Sequence, residues 1–146
     1  MGKKDFKYIK KPSWLGDEGP LYEHKGLNET LRVIFDQQTN DVKQMSVWET
    51  AFPPGTSIPL HKHPHPVEEF LYVLRGRALE TVGDEQREIG PGSAVFIPPE
   101  VEHKFDNLGD EMLILLVVVS PPGAVEENLF ETQIKSARQS WDIEYF

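Results

Sequence analysis

Turn signals recur at short intervals from Leu31 to Val119, and they constrain the fold of this chain more than any other feature. Pro53-Pro54-Gly55, Gly83-Asp84, Gly90-Pro91-Gly92, Pro98-Pro99, Asn107-Leu108-Gly109-Asp110 and Pro121-Pro122-Gly123 are places where glycine admits positive φ and proline withholds a ladder donor. The stretches between them are too short for helices of ordinary length and rich in residues that suit strands. Strands are expected at Leu31–Phe35, Val42–Phe52, Ile58–His63, Glu69–Leu74, Ala78–Val82, Gln86–Ile89, Ala94–Pro98, Glu102–Asp106 and Met112–Val119. The fold class is therefore all-β. With 146 residues there is room for one such unit, and a chain of this length can build a core without covalent staples.

Two expected strands, Phe70–Leu74 and Met112–Val119, are apolar on both faces. One face fills a core and the other needs a cover. A second copy of the chain would supply it, making a homodimer. So would the first 30 residues, which carry Phe6, Tyr8, Trp14 and Tyr22 and are read as an N-terminal extension packing on the barrel or on a partner subunit. The barrel proper is assigned to 31–121 and a peripheral segment to 122–146. In that segment Val125, Leu129, Ile134, Ala137 and Trp141 fall near helical spacing, so a short C-terminal helix is expected over 124–141.

Composition removes several function classes. There is no cysteine, which excludes disulfides, thiolate metal sites and a cysteine nucleophile. A net charge of −9 sets a repulsive field toward phosphate backbones and anionic lipid, so neither nucleic acid nor a membrane is an expected partner. The basic N-terminus is followed by no apolar run, and the longest such run, Met112–Val119, is far short of a bilayer span. A cytoplasmic location is the expectation.

The histidines carry the chemistry. Three of the five lie in His61-Lys62-His63-Pro64-His65, with Glu68 and Glu69 just downstream and His103 much later. Residues i and i+2 of a strand share a face, so His61 and His63 present two imidazoles to one space. A bend at Pro64–Pro66 would let a carboxylate from the next strand reach the same point, and His103 would arrive from a strand beyond Pro98-Pro99. Three imidazoles and a carboxylate suit a first-row divalent ion rather than calcium.

The spacing is more telling than the residue types. Gly55, five residues, His61, one residue, His63, five residues, Glu69, six residues and Gly76 are followed, after fifteen residues, by Gly92, five residues, Pro98, four residues, His103, three residues and Asn107. From Val42 to Val119 this resembles the two consensus motifs of the cupin superfamily. Two departures stand out. The interval between His63 and Glu69 is one or two residues longer than the family pattern, and Glu100 occupies a place where that pattern has glycine. The first leaves the carboxylate open between Glu68 and Glu69, with Glu69 favoured and His65 an alternative. The second predicts a strained turn, because a glycine there would tolerate positive φ.

The resemblance implies a cupin-type jelly-roll barrel, the double-stranded β-helix, with a metal near its mouth held by His61, His63, Glu69 and His103. Iron, manganese, nickel, zinc or copper would suit this set, iron being favoured. Two neighbouring positions would be left on an octahedral ion, enough for a small oxygen-rich organic substrate or for substrate plus dioxygen. A dioxygenase is the leading expectation, with Glu68 as a candidate general base. A redox-neutral isomerase or lyase acting on carbohydrate-type substrates and a non-catalytic small-molecule binder are the alternatives.

Overall fold

The computed structural model describes residues 21–24, 28–123, 125 and 132–134. Their strands are β1 (Leu21–His24), β2 (Glu29–Phe35), β3 (Ser46–Phe52), β4 (Ser57–His61), β5 (Glu68–Arg75), β6 (Ala78–Val82), β7 (Glu85–Ile89), β8 (Ala94–Ile97), β9 (His103–Asn107), β10 (Leu113–Ser120) and β11 (Thr132–Ile134). One helical turn, α1 (Gln37–Asn40), sits between β2 and β3. All nine expected strands are present, most with ends moved by a residue or two.

The strands form two antiparallel sheets. One has the order β11-β1-β2-β3-β10-β5-β8, the other β4-β9-β6-β7. Consecutive strands cross repeatedly between sheets, as in a jelly roll. Side-chain parity explains the core. In β9 the alternation buries His103, Phe105 and Asn107 and leaves Lys104 and Asp106 outward. Across the larger sheet, Trp48 pairs with Val117 and Val117 with Leu71, making one inward row. Phe52 meets Phe105 of the opposite sheet edge-to-face at 4.9 Å and so joins the two layers.

The bend from β5 to β6 depends on Gly76. Its φ is +87°, and a Cβ there would stand 2.7 Å from the carbonyl oxygen of Met112. No other residue fits without moving the backbone of the neighbouring strand. This fixes where β5 stops, and with it the register that turns Glu69 toward the interior.

Asn107 seals the far end. Its Nδ2 donates to the carbonyls of Phe52, Pro53 and Glu111, and its Oδ1 accepts from the backbone N–H of Gly109. Loop backbone that would otherwise be buried without partners is satisfied by one side chain.

At the chain's ends the pairing adds one feature and corrects one expectation. Leu21–His24 and Glu29–Thr30 pair as strands of the larger sheet. The helix expected over 124–141 is corrected at Thr132–Ile134, which pairs antiparallel with Leu21–Glu23 as β11. Helical periodicity lost there to an available sheet edge, which satisfies backbone groups with a partner already in place. The rest of that helix, apart from Val125, lies outside the described residues. No helix among them is long and apolar enough to cross a membrane.

The outer face of the larger sheet carries an apolar row in register: Phe96 pairs with Phe70, Phe70 with Val118, and Val118 with Val47. Phe96 is 57% exposed, and Phe70 and the nearby Tyr72 37% each.

Candidate metal centre

His61 ends β4, His63 stands in the loop after it, Glu69 is the second residue of β5 and His103 opens β9. β4 and β9 are neighbours with His61 opposite His103, which places two imidazoles side by side across a ladder. The ring centroids lie 4.1 Å apart for His61 and His103, and 5.1 Å apart for His63 and each of the others. One nitrogen from each of the three lies within 4.8 Å of the other two. Glu69 joins from the opposite sheet, its Oε2 being 3.0 Å from His63 Nε2 and 3.5 Å from His103 Nε2.

The hydrogen-bond pattern fixes which atoms face inward. His61 Nδ1 donates to the carbonyl of Pro59 at 2.7 Å, and His103 Nδ1 to that of Val101 at 2.9 Å. A carbonyl oxygen only accepts, so Nδ1 carries the proton and Nε2 presents its lone pair. Metal-binding imidazoles are commonly oriented in this way. His63 Nε2, His103 Nε2 and Glu69 Oε2 are buried and have no well-formed hydrogen bond despite their short separations. Buried polar atoms that meet without well-formed bonds are costly, and a cation among them would satisfy all three. The donor set therefore fits a divalent transition metal.

The charges respond to one another. Burial pushes the Glu69 carboxyl up, but the adjoining His103 and His63 imidazoles outweigh it and hold the pKa at about 2. Burial opposes a charge on His103, yet Glu69 and the Val101 carbonyl lift its pKa above the ordinary imidazole value. Burial is the main reason the pKa of His61 is lowered.

Glu68 and His65, the alternatives for the carboxylate position, are both exposed, whereas Glu69 lies against His63 and His103. Strand parity separates Glu68 from Glu69, since neighbours in β5 point to opposite faces. The strain expected at Glu100 is present, with φ at +66°. The residue also has compensating contacts. Its Oε1 accepts from the backbone N–H of His65, its Oε2 lies 3.4 Å from Lys62 Nζ, and its own N–H donates to the carbonyl of His63. The His65 N–H and Lys62 hold the Glu100 carboxyl below the usual range.

The centre opens on a cavity of about 310 Å³. Leu71, Phe105, Trp48, Leu115 and Val117 line it. Val73 is buried in the core, and Asn107 serves the backbone as described. Arg75 and Arg77 form surface pairs with Glu111 and Glu88.

Three polar residues at the cavity and one buried carboxylate outside its lining carry no motif and were not expected. His24, Glu29 and Thr50 line the same cavity. Glu80 is 5% exposed, and neither of its carboxylate oxygens has a hydrogen-bond partner. Burial, followed by the charge of Glu69, pushes its pKa up to about 8. The available signal was parity: Glu29 shares a face with Leu31 and Val33, and Glu80 with Ala78, so each is a carboxylate on a core-facing position.

Fold and histidine cluster together define a class of small jelly rolls with side chains placed so that they could hold a metal. The cupin-domain family model matches residues 48–119. A protein of Methanocaldococcus jannaschii is 40% identical over 86 residues, covering 59% of this chain and 67% of that protein. Auxin-binding protein T85 of Nicotiana tabacum is 32% identical over 112 residues, covering 69% of this chain and 58% of its own length. Among solved structures, the oxalate decarboxylase of Lactobacillus farciminis in complex with formate superposes with a TM-score of 0.61 at 26% identity, over 71% of this chain and 31% of that one. The chain belongs to the cupin superfamily.

Proposed function

We propose that this protein is a metal-dependent cupin in which His61, His63, Glu69 and His103 hold one divalent transition ion, iron being favoured, and that it acts as a dioxygenase on a small oxygen-rich organic molecule. The observation that carries the reading is the convergence of buried, partnerless Nε2 and Oε2 atoms at the head of a largely apolar cavity. When bound, such an ion supplies Lewis acidity and, as iron, an electron source for dioxygen chemistry.

The chain's own residues set the conditions for that chemistry. The Pro59 and Val101 carbonyls hold two imidazoles in the tautomer that leaves Nε2 free. The Glu69 carboxyl is ionised throughout the physiological range and offsets part of the cation's charge. Trp48, Leu71, Phe105 and Val117 exclude water from the space beside the ligands, which strengthens electrostatic contacts with anything bound there. Glu68 stays at the exposed start of β5, a position that suits a rim charge better than a general base.

Elemental analysis of purified protein beside the His61→Ala and His103→Ala variants tests the ligand set. Equal metal content in all three would refute it. Oxygen uptake by iron-loaded protein across diketones, flavonols and acidic sugars tests the reaction class, and turnover under strict anaerobiosis would exclude a dioxygenase in favour of a redox-neutral isomerase or lyase.

The likeness to an auxin-binding protein favours one further reading, a barrel that binds a small organic ligand without turning it over. Saturable binding to metal-loaded protein with no product formed under air would establish it.

We also infer that the row formed by Phe96, Phe70, Val118 and Val47 is the contact surface of a homodimer. Sedimentation at micromolar concentration as a 16.7 kDa species would exclude that assembly.

A further inference from the structure

The cavity has a second polar end that the metal centre does not account for. Glu29 and Thr50, 4% and 2% exposed, stand on neighbouring strands of the larger sheet. Thr50 Oγ donates to Glu29 Oε2 at 2.5 Å, and His24 Nδ1 lies 3.3 Å from Glu29 Oε1. All three residues line the cavity that the imidazoles head. Sheet register gives the separation. Thr50 pairs with Leu115, Leu115 pairs with Val73, and Glu69 precedes Val73 by four positions on β5. At about 3.3 Å per residue Thr50 is offset from Glu69 by some 13 Å along the strands, with β10 between them. Trp48, Leu71, Phe105, Leu115 and Val117 make the wall between them apolar.

A carboxylate inside a barrel is expensive, and apolar residues of similar volume would pack there at lower cost. Thr50 and His24 are its partners among the described residues, whereas an ionised carboxylate has roughly four acceptor sites. Acceptor capacity remains on a carboxylate whose orientation is already fixed from two sides. Such a group recognises a donor, because a site built to accept a hydrogen bond discriminates strongly against ligands that lack one.

We propose that Glu29, held by Thr50 and His24, receives the hydrogen-bond-donating end, a hydroxyl or amine, of an elongated ligand whose oxygen-bearing head lies at the imidazole end and whose body is aromatic or aliphatic. The assignment deepens the functional reading above and rests on it only for the placement of the head. It narrows the substrate class from small oxygen-rich molecules to those with two polar ends and an apolar middle.

Calorimetric titration of zinc-loaded protein with phenylpropanoate and its para-hydroxy and para-amino derivatives tests it. These probes share the carboxylate head and ring and differ only in the distal donor. In the wild-type protein the better of the two donor-bearing probes binds about tenfold tighter than the parent, and in Glu29→Met that ratio falls to about one. Glu29→Gln, which keeps an acceptor and removes the charge, retains the hydroxyl preference and loses any amine preference. Thr50→Val lowers the donor ratio by about threefold or more, a second route to the answer if Glu29→Met does not fold. A wild-type ratio near one overturns the proposal, as does an undiminished ratio in the Glu29 and Thr50 variants. Repeating the titration after chelation separates this from the metal reading. Unchanged affinities for all three probes would remove the metal from the head site while leaving the donor ratio, and therefore Glu29, in place.

Discussion

The two ends of the cavity solve the problem of burying polar atoms in opposite ways. At the imidazole end, His63 Nε2, His103 Nε2 and Glu69 Oε2 face one another without satisfied bonds. At the other end, Glu29 has a hydroxyl and an imidazole within reach of its oxygens. The first arrangement lacks well-formed bonds as protein alone, and a cation would complete it. The second is stable as it stands and has capacity to spare. A cluster of partnerless acceptors thus marks a place for an ion, whereas a supported carboxylate marks a place for a donor.

The largest expected effect on metal binding would break the first end. Structural zinc sites gain about 10–16 kcal/mol, which over four ligands is about 3 kcal/mol each. His103→Ala and Glu69→Gln should therefore each weaken metal affinity by a hundredfold or more, about 2.7 kcal/mol, in a competitive chelator titration. Retention of wild-type affinity in either would remove that residue from the ligand set.

Glu80, buried without a hydrogen-bond partner and within the field of Glu69, sharpens the contrast through pH. Its folded pKa of about 8 lies above the ordinary 4.5, so between those values the folded metal-free protein holds a proton that the unfolded chain has released. Stability should fall as pH rises through this window and reach its full penalty above about 8. Glu80→Gln should remove this group's share of the slope, stabilising the metal-free protein by up to about 5 kcal/mol at pH 9 and hardly at all near pH 4. Denaturant melts at both pH values check this, and parallel curves for the two proteins would contradict it.

A smaller effect belongs to the second end. Thr50→Val leaves Glu29 with one buried hydrogen bond fewer and should cost about 1–2 kcal/mol in a urea melt. A variant as stable as wild type would mean that the carboxylate finds another donor. The smallest effect is a control on parity: Glu68→Gln should leave metal affinity within about twofold of wild type. A large loss there would move the carboxylate ligand by one residue and invert the face assigned to β5.

The same contrast explains what could be read from the chain. The imidazole end was legible because motif spacing and strand parity both restrict it. His61, His63 and His103 fall at intervals that bring them to one point only if the strands between them fold back as a barrel. Glu69 keeps its distance to Gly76, whose φ and close contact with Met112 allow no other residue. Glu29, Thr50 and His24 belong to no such pattern. They meet because β1 and β2 join the larger sheet, and that pairing depends on tertiary register. Thr132–Ile134 was misread for a related reason, since a three-residue edge strand has too few positions to show a period of two.

Glu100 gives the centre a mechanical property. By gripping the His65 amide and donating its own N–H to the His63 carbonyl, it fastens the turn that precedes His103 to the loop that carries His63. Side chains far apart in the chain are yoked within the protein itself. A cation entering there would meet a socket already shaped, and much of the ordering entropy that a floppy site would surrender at capture would already have been spent during folding.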